Sequence, residues 1–391
     1  YNYSEKKWAN AETKDGSMWV WIPRYAYRIN SSTQTCDIVF LIGTTDNYYD
    51  EEGKLQTAKR QTKKDETIDT TTGYTVHPAF TDESSIEFAN GGWDKELSGI
   101  WVAKFEAGYA GGNNSATKVS SEVKYTQSTV IASSKETGTG SAGSMSARNW
   151  TDGIYGEEET TIKYPTFQGL TYSMNYINHN DAFNISRALT GKNNIYGFNS
   201  ENTDSHLMKN SEWGAIAYLS QSKYGLNGTN IYINNVNLNN STESVYAVTG
   251  CSSASSADAS VIETTIEKLN ARKETNAYVW TQKNGTKASS TGTIYGIYDL
   301  SGGAWERTAG IVANGNWNLI NYGSSLLNKG ISDSTSTKYV TVYPSNDSGI
   351  ADYDTASSKN YEMNTRIYGD AIRETSTSGI GQTSWYLNWS E

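Results

Sequence analysis

The segment that most restricts the fold of this chain is Thr293-Ile-Tyr-Gly-Ile-Tyr-Asp-Leu-Ser-Gly-Gly-Ala-Trp-Glu-Arg-Thr308. Its aromatic, turn-forming and acidic residues follow one another in an order that composition alone does not produce. Ile294, Ile297 and Leu300 predict a short buried strand or turn, which the Ser-Gly-Gly sequence interrupts. Trp305 then supplies a large core ring, and the acidic residue after it needs a donor, a cation or water.

A second informative segment is Leu207-Met-Lys-Asn-Ser-Glu-Trp213, which predicts the start of a helix over residues 210–224. Asn210 or Ser211 is a suitable cap for the first turn, and the glutamate suits the positive end of the helix. The tryptophan and the apolar residues after it recur on one face. Gly225 is a plausible stop for this helix.

Two further segments have the alternation of strands. In Gly99-Ile-Trp-Val-Ala-Lys-Phe-Glu-Ala107, Ile100 and Val102 share one face and Trp101 lies on the other. In residues 15–42 we expect two antiparallel strands around Pro23, because aromatic residues alternate there with small and aliphatic ones.

Three segments resemble motifs of the formylglycine-generating-enzyme/sulfatase-modifying family, a branch of the C-type lectin fold: residues 99–107, 207–213 and 293–308. They also follow one another along the chain in the order that this family requires. The family signature reads Asn-Val-Tyr-Asp-Met-x-Gly-Asn-Val-Trp-Glu-Trp. The resemblance implies an α+β, C-type-lectin-like fold with short antiparallel sheets, two or three helices and long polar loops. Its structural signature residues are Trp213, Trp305 and Glu306.

Residues 15–28, together with His77-Pro-Ala-Phe80, resemble a group of Gram-positive bacterial and prophage surface proteins that join this fold to a prepilin-like anchor. In that group the chain continues into a Phe-Pro-Tyr…Arg-Gly-Gly segment, which is absent before Glu391. We therefore expect either a truncated domain or a different closure of the fold. An open sheet edge would need cover, and a strand from another chain is one expected partner.

The predicted organisation has one domain with an insertion. Residues 1–107 supply its N-terminal strands, residues 108–160 a polar insertion, and residues 161–391 its helices and C-terminal strands, incomplete at the end. Helices are predicted within residues 170–189 and over residues 257–269.

Composition narrows the function classes. Charged residues make up 19% of the chain, the formal net charge is −10, and Asn, Ser, Thr, Gly and Tyr are abundant. Nucleic-acid binding needs a basic face, so this charge argues against it. The basic run at residues 54–64 is interpreted as a solvated loop. No stretch approaches a membrane span or a signal sequence, and the polar, tyrosine-rich surface is typical of an extracellular, cell-surface or virion-surface protein.

The resemblance does not extend to the family's oxidase chemistry, which uses a C-terminal cysteine pair to hold copper. Cys36 and Cys251 are the only cysteines, and both lie outside the corresponding region. We therefore predict a protein that is not an enzyme and has no cofactor. Related enzymes bind calcium near the signature turn, which implies Glu306 as a calcium ligand, although Gly303 replaces one side-chain ligand.

A hydrolase remains a less favoured alternative. The carboxylates available to it are Glu51, Glu52, Asp94 and Glu306, and the sequence does not give their separation.

The preferred hypothesis is a surface-displayed adhesin or binding protein whose lectin-type scaffold presents variable loops to a protein or glycan ligand on another cell. The candidate loop is Asn314–Gly323, which combines amides with aromatic rings; a cluster of tight turns is the alternative interpretation. A structural subunit of a pilus-like filament or phage tail is the other function left open. The predicted ligand-binding residues are Asn316, Trp317, Asn318, Asn321 and Tyr322.

Overall fold

The computed structural model describes residues 1–61, 69–82, 92–108, 164–169, 177, 179–191, 194–229, 231, 280–281, 285–300, 306–313, 323–326, 337–344, 368–375 and 385. These residues form a mixed α+β fold, as the sequence predicts. The strands are β1 (Asn10–Glu12), β2 (Met18–Pro23), β3 (Tyr25–Asn30), β4 (Thr35–Phe40), β5 (Asn47–Tyr49), β6 (Leu55–Thr57), β7 (Thr75–Val76), β8 (Gly99–Ala103), β9 (Gly310–Ala313) and β10 (Thr341–Pro344). The α-helices are α1 (His179–Ala188), α2 (Asn210–Gln221) and α3 (Ala371–Glu374).

Two antiparallel sheets meet at Pro23. β2 lies between β1 and β8, whereas β3 lies between β4 and β7. Pro23 ends β2 because it has no backbone N–H to continue the ladder, and the chain then enters the second sheet. The prediction of two strands in residues 15–42 is therefore wrong by one, because β4 also falls in this interval.

Helix α2 fills the centre of the molecule. Every residue from Ser211 to Gln221 is buried, so the helix is covered on all sides rather than on the single predicted face. Its N-terminus is also held differently from the prediction: the Glu212 carboxylate accepts a hydrogen bond from the Lys209 backbone N–H at 2.8 Å. The helix ends at Gln221, before the predicted stop at Gly225.

The main core gathers side chains from the inner faces of β2, β3, β4 and β8 around α2. Val20 and Ile22 of β2 face it together with Ile100 and Val102 of β8. The alternation predicted for β8 is confirmed, because Trp101 lies on the opposite face and is 49% exposed. This arrangement leaves the outer face of the first sheet with aromatic side chains.

The segment at residues 293–308 is a series of turns after a 3₁₀ helix at Gly285–Ala288, with no strand among its described residues. Ile297 and Leu300 are buried as predicted, but Ile294 is 37% exposed, so the prediction for that residue is wrong. The backbone N–H of Tyr298 donates to the Lys104 carbonyl at 2.8 Å, which attaches the segment to the end of β8. The Lys104 ammonium donates to the carbonyl of Ile294 and to Asn10 Oδ1.

The strands near the C-terminus depart from the predicted antiparallel arrangement. β9 and β10 pair in parallel, with Ile311 opposite Val342. The four-residue helix α3 packs against α2. Parallel pairing requires a connection that returns the chain to the same end of the sheet before the second strand begins.

The basic run at residues 54–64 is only partly the solvated loop that the sequence predicts. Residues 55–57 form β6, and Arg60 joins a partly buried ion network. Arg24, whose side chain is fully buried, contacts Asp46 at 2.8 Å and Glu96 at 2.6 Å. Arg60 contacts the same two carboxylates at 2.6 Å each. Opposite charges thus alternate around the network, which offsets the cost of removing them from water.

Several predictions concern residues outside the described ranges. Residues 109–160 of the predicted insertion, the helix over residues 257–269 and Cys251 lie outside the described residues. Gly108 and Thr166, on either side of the insertion, form an antiparallel bridge. Cys36 is a buried thiol on β4. Within the described ranges, no helix has both the length and the apolar character to cross a membrane.

Candidate functional site

The outer face of the first sheet borders a cavity of about 1210 Å³. Its wall is completed by residues of α1 and of the chain between this helix and α2, and by residues 297, 298, 300, 306–308 and 338–339. Pockets for small molecules typically measure roughly 300–1,000 Å³. The volume is therefore sufficient for a ligand with several rings.

Three tryptophans of β2 and β8 form one wall of this cavity: Trp19, Trp21 and Trp101. Trp21 and Trp101 are directly opposite each other in the antiparallel register, and their ring centroids are 5.2 Å apart. Because alternate residues of both strands enter the core, the tryptophan rings all project from the other face of the sheet. We refer to these three residues as the tryptophan wall.

The position of Trp19 is set by polar and aromatic contacts. Its indole N–H donates to Thr13 Oγ1 at 3.1 Å. The ring packs on Phe167, with centroids 4.8 Å apart, and on Phe198, with centroids 5.5 Å apart. This part of the wall is therefore preorganised, whereas Trp101 remains half exposed and open to contact.

The opposite end of the cavity is polar. Asp204 contacts Arg187 at 2.6 Å and Lys338 at 2.7 Å, and Lys338 also contacts Asp94. The Arg187 guanidinium lies over the Tyr339 ring, 3.7 Å from its centroid. The charges of this end are thus paired with one another.

His206 and Glu212 lie beside the polar end. His206 Nε2 is 2.8 Å and 2.9 Å from the two Glu212 carboxylate oxygens. Burial acts to raise the pKa of Glu212, but the nearby His206 and Lys209 outweigh it, so its pKa is lowered. The Lys209 ammonium lies over the Trp93 ring, 3.7 Å from its centroid. His206 and Lys209 thus favour the charged form of the Glu212 carboxylate at the start of α2.

Glu306 is the signature carboxylate, and its side chain is exposed in the wall of the cavity. Partial removal of water by the neighbouring protein raises the pKa of Glu306 to about 8, and the nearby Asp299 acts in the same direction. A hydrogen bond with Trp213 acts against the rise. Trp213 and Glu306, two of the three signature residues, are therefore in contact.

Arg307 follows Glu306 in the cavity wall. Its Nε donates to the Ile177 carbonyl at 2.7 Å, and its Nη1 is 3.3 Å from His179 Nδ1. Burial and the charge of Arg307 lower the pKa of His179 to about 4, so the imidazole is neutral and accepts at Nδ1. Burial without a compensating charge also lowers the pKa of Arg307.

The candidate residues from the sequence have different outcomes. The five predicted ligand-binding residues and Trp305 lie outside the described residues, so their roles remain predictions. Asp94 and Glu306 line the cavity together, whereas Glu51 and Glu52 lie on an exposed turn. No group of three metal-ligating side chains occurs in the described parts of the chain. Calcium at Glu306 also remains a prediction, since residues 301–305 of that turn are not described.

Sequence reasoning missed the cavity itself and the roles of Trp21, Trp101 and Arg307 in it. The signal for the tryptophan wall was present, because Trp19 and Trp21 alternate with core residues in the same way as Trp101. The alternation did not show that β2 pairs with β8, because this pairing joins segments about 80 residues apart.

Comparisons with protein-family models, with curated proteins and with solved structures find no match to this chain.

Proposed function

We propose that this chain is a non-catalytic binding protein that holds a saccharide against the tryptophan wall. The observation that carries the proposal is the half-exposed Trp101 beside Trp21 in the wall of a cavity that also contains polar groups. A buried tryptophan contributes to stability, whereas one that remains exposed to a cavity offers a flat apolar surface to a ligand.

The chemistry of the wall matches that of a sugar ring. The C–H faces of a pyranose pack against indole rings, while its hydroxyl groups need donors and acceptors at the edges. Glu106 and Asn202 line the cavity and supply such groups. An aliphatic ligand would displace water from these polar groups without offering them a hydrogen bond in return, which costs binding free energy.

The proposal includes the scaffold and the setting. We infer a C-type-lectin-like domain of the formylglycine-generating-enzyme type, displayed on an extracellular surface, with the loop at residues 314–323 as a further contact region. Two of its signature residues are in contact, and the segment at residues 293–300 is hydrogen-bonded to the end of β8. These contacts support a structural role for the signature in this chain.

The test is a glycan array that includes neutral and acidic oligosaccharides, probed with the full chain and with Trp101→Ala. We expect at least one glycan class to bind, and its affinity to fall roughly tenfold or more in the variant, because a tryptophan at the centre of a contact carries much of its binding free energy. Isothermal titration with the best glycan gives the affinity.

Tyr49→Ala is the matched control, since Tyr49 is 64% exposed on β5, away from the cavity. It should leave glycan affinity unchanged. Absence of binding to every glycan, or equal loss in both variants, would refute the saccharide proposal. Capture of a purified host surface protein that depends on Trp101 would instead identify the ligand as a protein.

A further inference from the structure

The cavity wall contains a cation whose contacts within the described structure are all neutral. The Arg307 guanidinium donates to the Ile177 carbonyl and to His179 Nδ1. Among the described residues, no carboxylate lies within ion-pair distance of it, including the neighbouring Glu306. The two neutral acceptors orient the guanidinium and leave its charge uncompensated.

Other arginines in the structure are arranged differently. Each of the four other arginines with described side chains contacts a carboxylate at 2.6–2.8 Å: Arg24, Arg28, Arg60 and Arg187. A partly buried charge without a counter-ion is costly. Arg307 is the one arginine with a described side chain that has no carboxylate partner among the described residues, which points to a different use for it. The location of Arg307 in the cavity wall suggests that a ligand supplies the missing charge.

The carboxylates of the polar end do not compete for this role. Asp94 and Asp204 contact Lys338, and Glu212 contacts His206. Asp94 and Asp204 therefore have a cationic partner of their own, and Glu212 is engaged by His206 and by the nearby Lys209. An anionic group that enters the cavity finds its unmatched partner at Arg307.

We propose that the ligand of this cavity carries a carboxylate that pairs with Arg307, and that its class is an acidic saccharide containing a uronic acid. The inference rests on the proposed function, because the tryptophan wall binds the ring faces while Arg307 binds the charged substituent. The planar guanidinium fork matches a carboxylate through two parallel N–H···O bonds, a geometry that a lysine does not provide.

The net charge of −10 does not oppose this contact. At physiological ionic strength, exposed charges more than about 8 Å away are largely screened. A guanidinium at contact distance in a partly enclosed cavity is screened much less. The local charge therefore decides the preference for an anionic group.

The experiment measures, by titration calorimetry, the affinity of the full chain for trigalacturonate and for the same trisaccharide with its carboxylates reduced to primary alcohols. We expect the acidic trisaccharide to bind about tenfold to a hundredfold more tightly, which is the range for a hydrogen-bonded charge pair. Arg307→Gln should abolish this preference, and Arg307→Lys should retain only part of it.

The ratio between the two sugars separates a charge effect from damage to the fold, since a misfolded cavity loses both sugars equally. Equal affinities in the unmodified chain, or an unchanged ratio in Arg307→Gln, would overturn the inference while leaving the saccharide proposal intact. If no oligosaccharide binds, the proposed function itself fails. Tighter binding of a sulfated trisaccharide that depends on Arg307 would show that sulfate is the preferred anion, against the carboxylate assignment.

Discussion

At the scale of single residues, the buried Lys104 shows how one side chain joins distant parts of the chain. Its ammonium donates to Asn10 Oδ1 on β1 and to the Ile294 carbonyl, and it lies 5.1 Å from the centroid of the Trp280 ring. These partners are neutral or aromatic. Burial lowers the pKa of Lys104 from 10.5 to about 7, so the folded state holds the proton less tightly than the unfolded chain.

This difference predicts a pH dependence of stability. Between a folded-state pKa of about 7 and the ordinary value of 10.5, the unfolded chain binds more protons, so the free energy of unfolding rises with pH. One group contributes at most about 1.4 kcal/mol per pH unit. Urea unfolding from about pH 6 to about pH 9 should show the stability of the unmodified chain rising relative to that of Lys104→Met. The opposite contribution of Glu306, whose pKa is raised to about 8 in the folded state, is common to both proteins and cancels in this difference.

The control for this measurement is Lys54→Met, because Lys54 is exposed. It should keep the pH profile of the unmodified chain. If Lys104→Met also kept that profile, the folded-state pKa of Lys104 would have to lie near its ordinary value.

At the scale of secondary-structure elements, the contact between α2 and α3 depends on one glycine. A Cβ atom placed on Gly214 would lie 1.8 Å from the carbonyl oxygen of Gly369, just before α3. The two backbones approach each other too closely for any side chain at this position. Gly214 therefore permits a helix contact that residue pattern alone did not reveal.

We predict that Gly214→Ala lowers the free energy of unfolding. Alanine gains up to about 1 kcal/mol in helix propensity, whereas overpacking costs typically about 1–3 kcal/mol and more when backbone must shift. The steric cost should prevail, and urea unfolding measures it.

Gly73→Ala is the comparison for this substitution. Its added Cβ would meet the end of the Lys59 side chain at 3.1 Å, and that side chain can move. A small effect is expected there. An increase in stability for Gly214→Ala would show that the two backbones are further apart than the structure indicates.

At the scale of the whole molecule, the chain is acidic and has a low proportion of charged residues. The formal net charge is −10, with 32 basic and 42 acidic residues. Most of the arginines with described side chains are paired with carboxylates, which leaves no basic stripe among them. Among the described arginines there is therefore no basic face for the backbone of a nucleic acid, whereas the Arg307 guanidinium in the cavity can pair with one anionic group.

We predict that the chain does not bind nucleic acid at physiological salt. Fluorescence anisotropy with labelled single- and double-stranded oligonucleotides should remain constant as protein is added, because the described residues contain no basic face that would release counter-ions from the phosphates. Binding that weakened steeply with added salt would contradict this prediction and indicate a basic face outside the described residues.

The sequence by itself determined the α+β class, the strand at residues 99–103 and the burial of Ile297 and Leu300. It also determined the residue at which α2 begins, although not the residue at which this helix ends. Local periodicity and turn chemistry suffice for these features, because each depends on neighbours in the chain. They did not suffice for Ile294, whose exposure depends on how the turns pack.

Only the tertiary structure decided the cavity. The pairing of Trp21 with Trp101, the contact of Trp213 with Glu306 and the neutral surroundings of Arg307 join residues separated by about 80, 90 and 130 positions. Alternation shows which side chains share a face of a strand, but it does not show which strand lies beside it or what the face meets. Whether an arginine is paired is likewise a property of its surroundings in space, and these surroundings make Arg307 a candidate ligand contact.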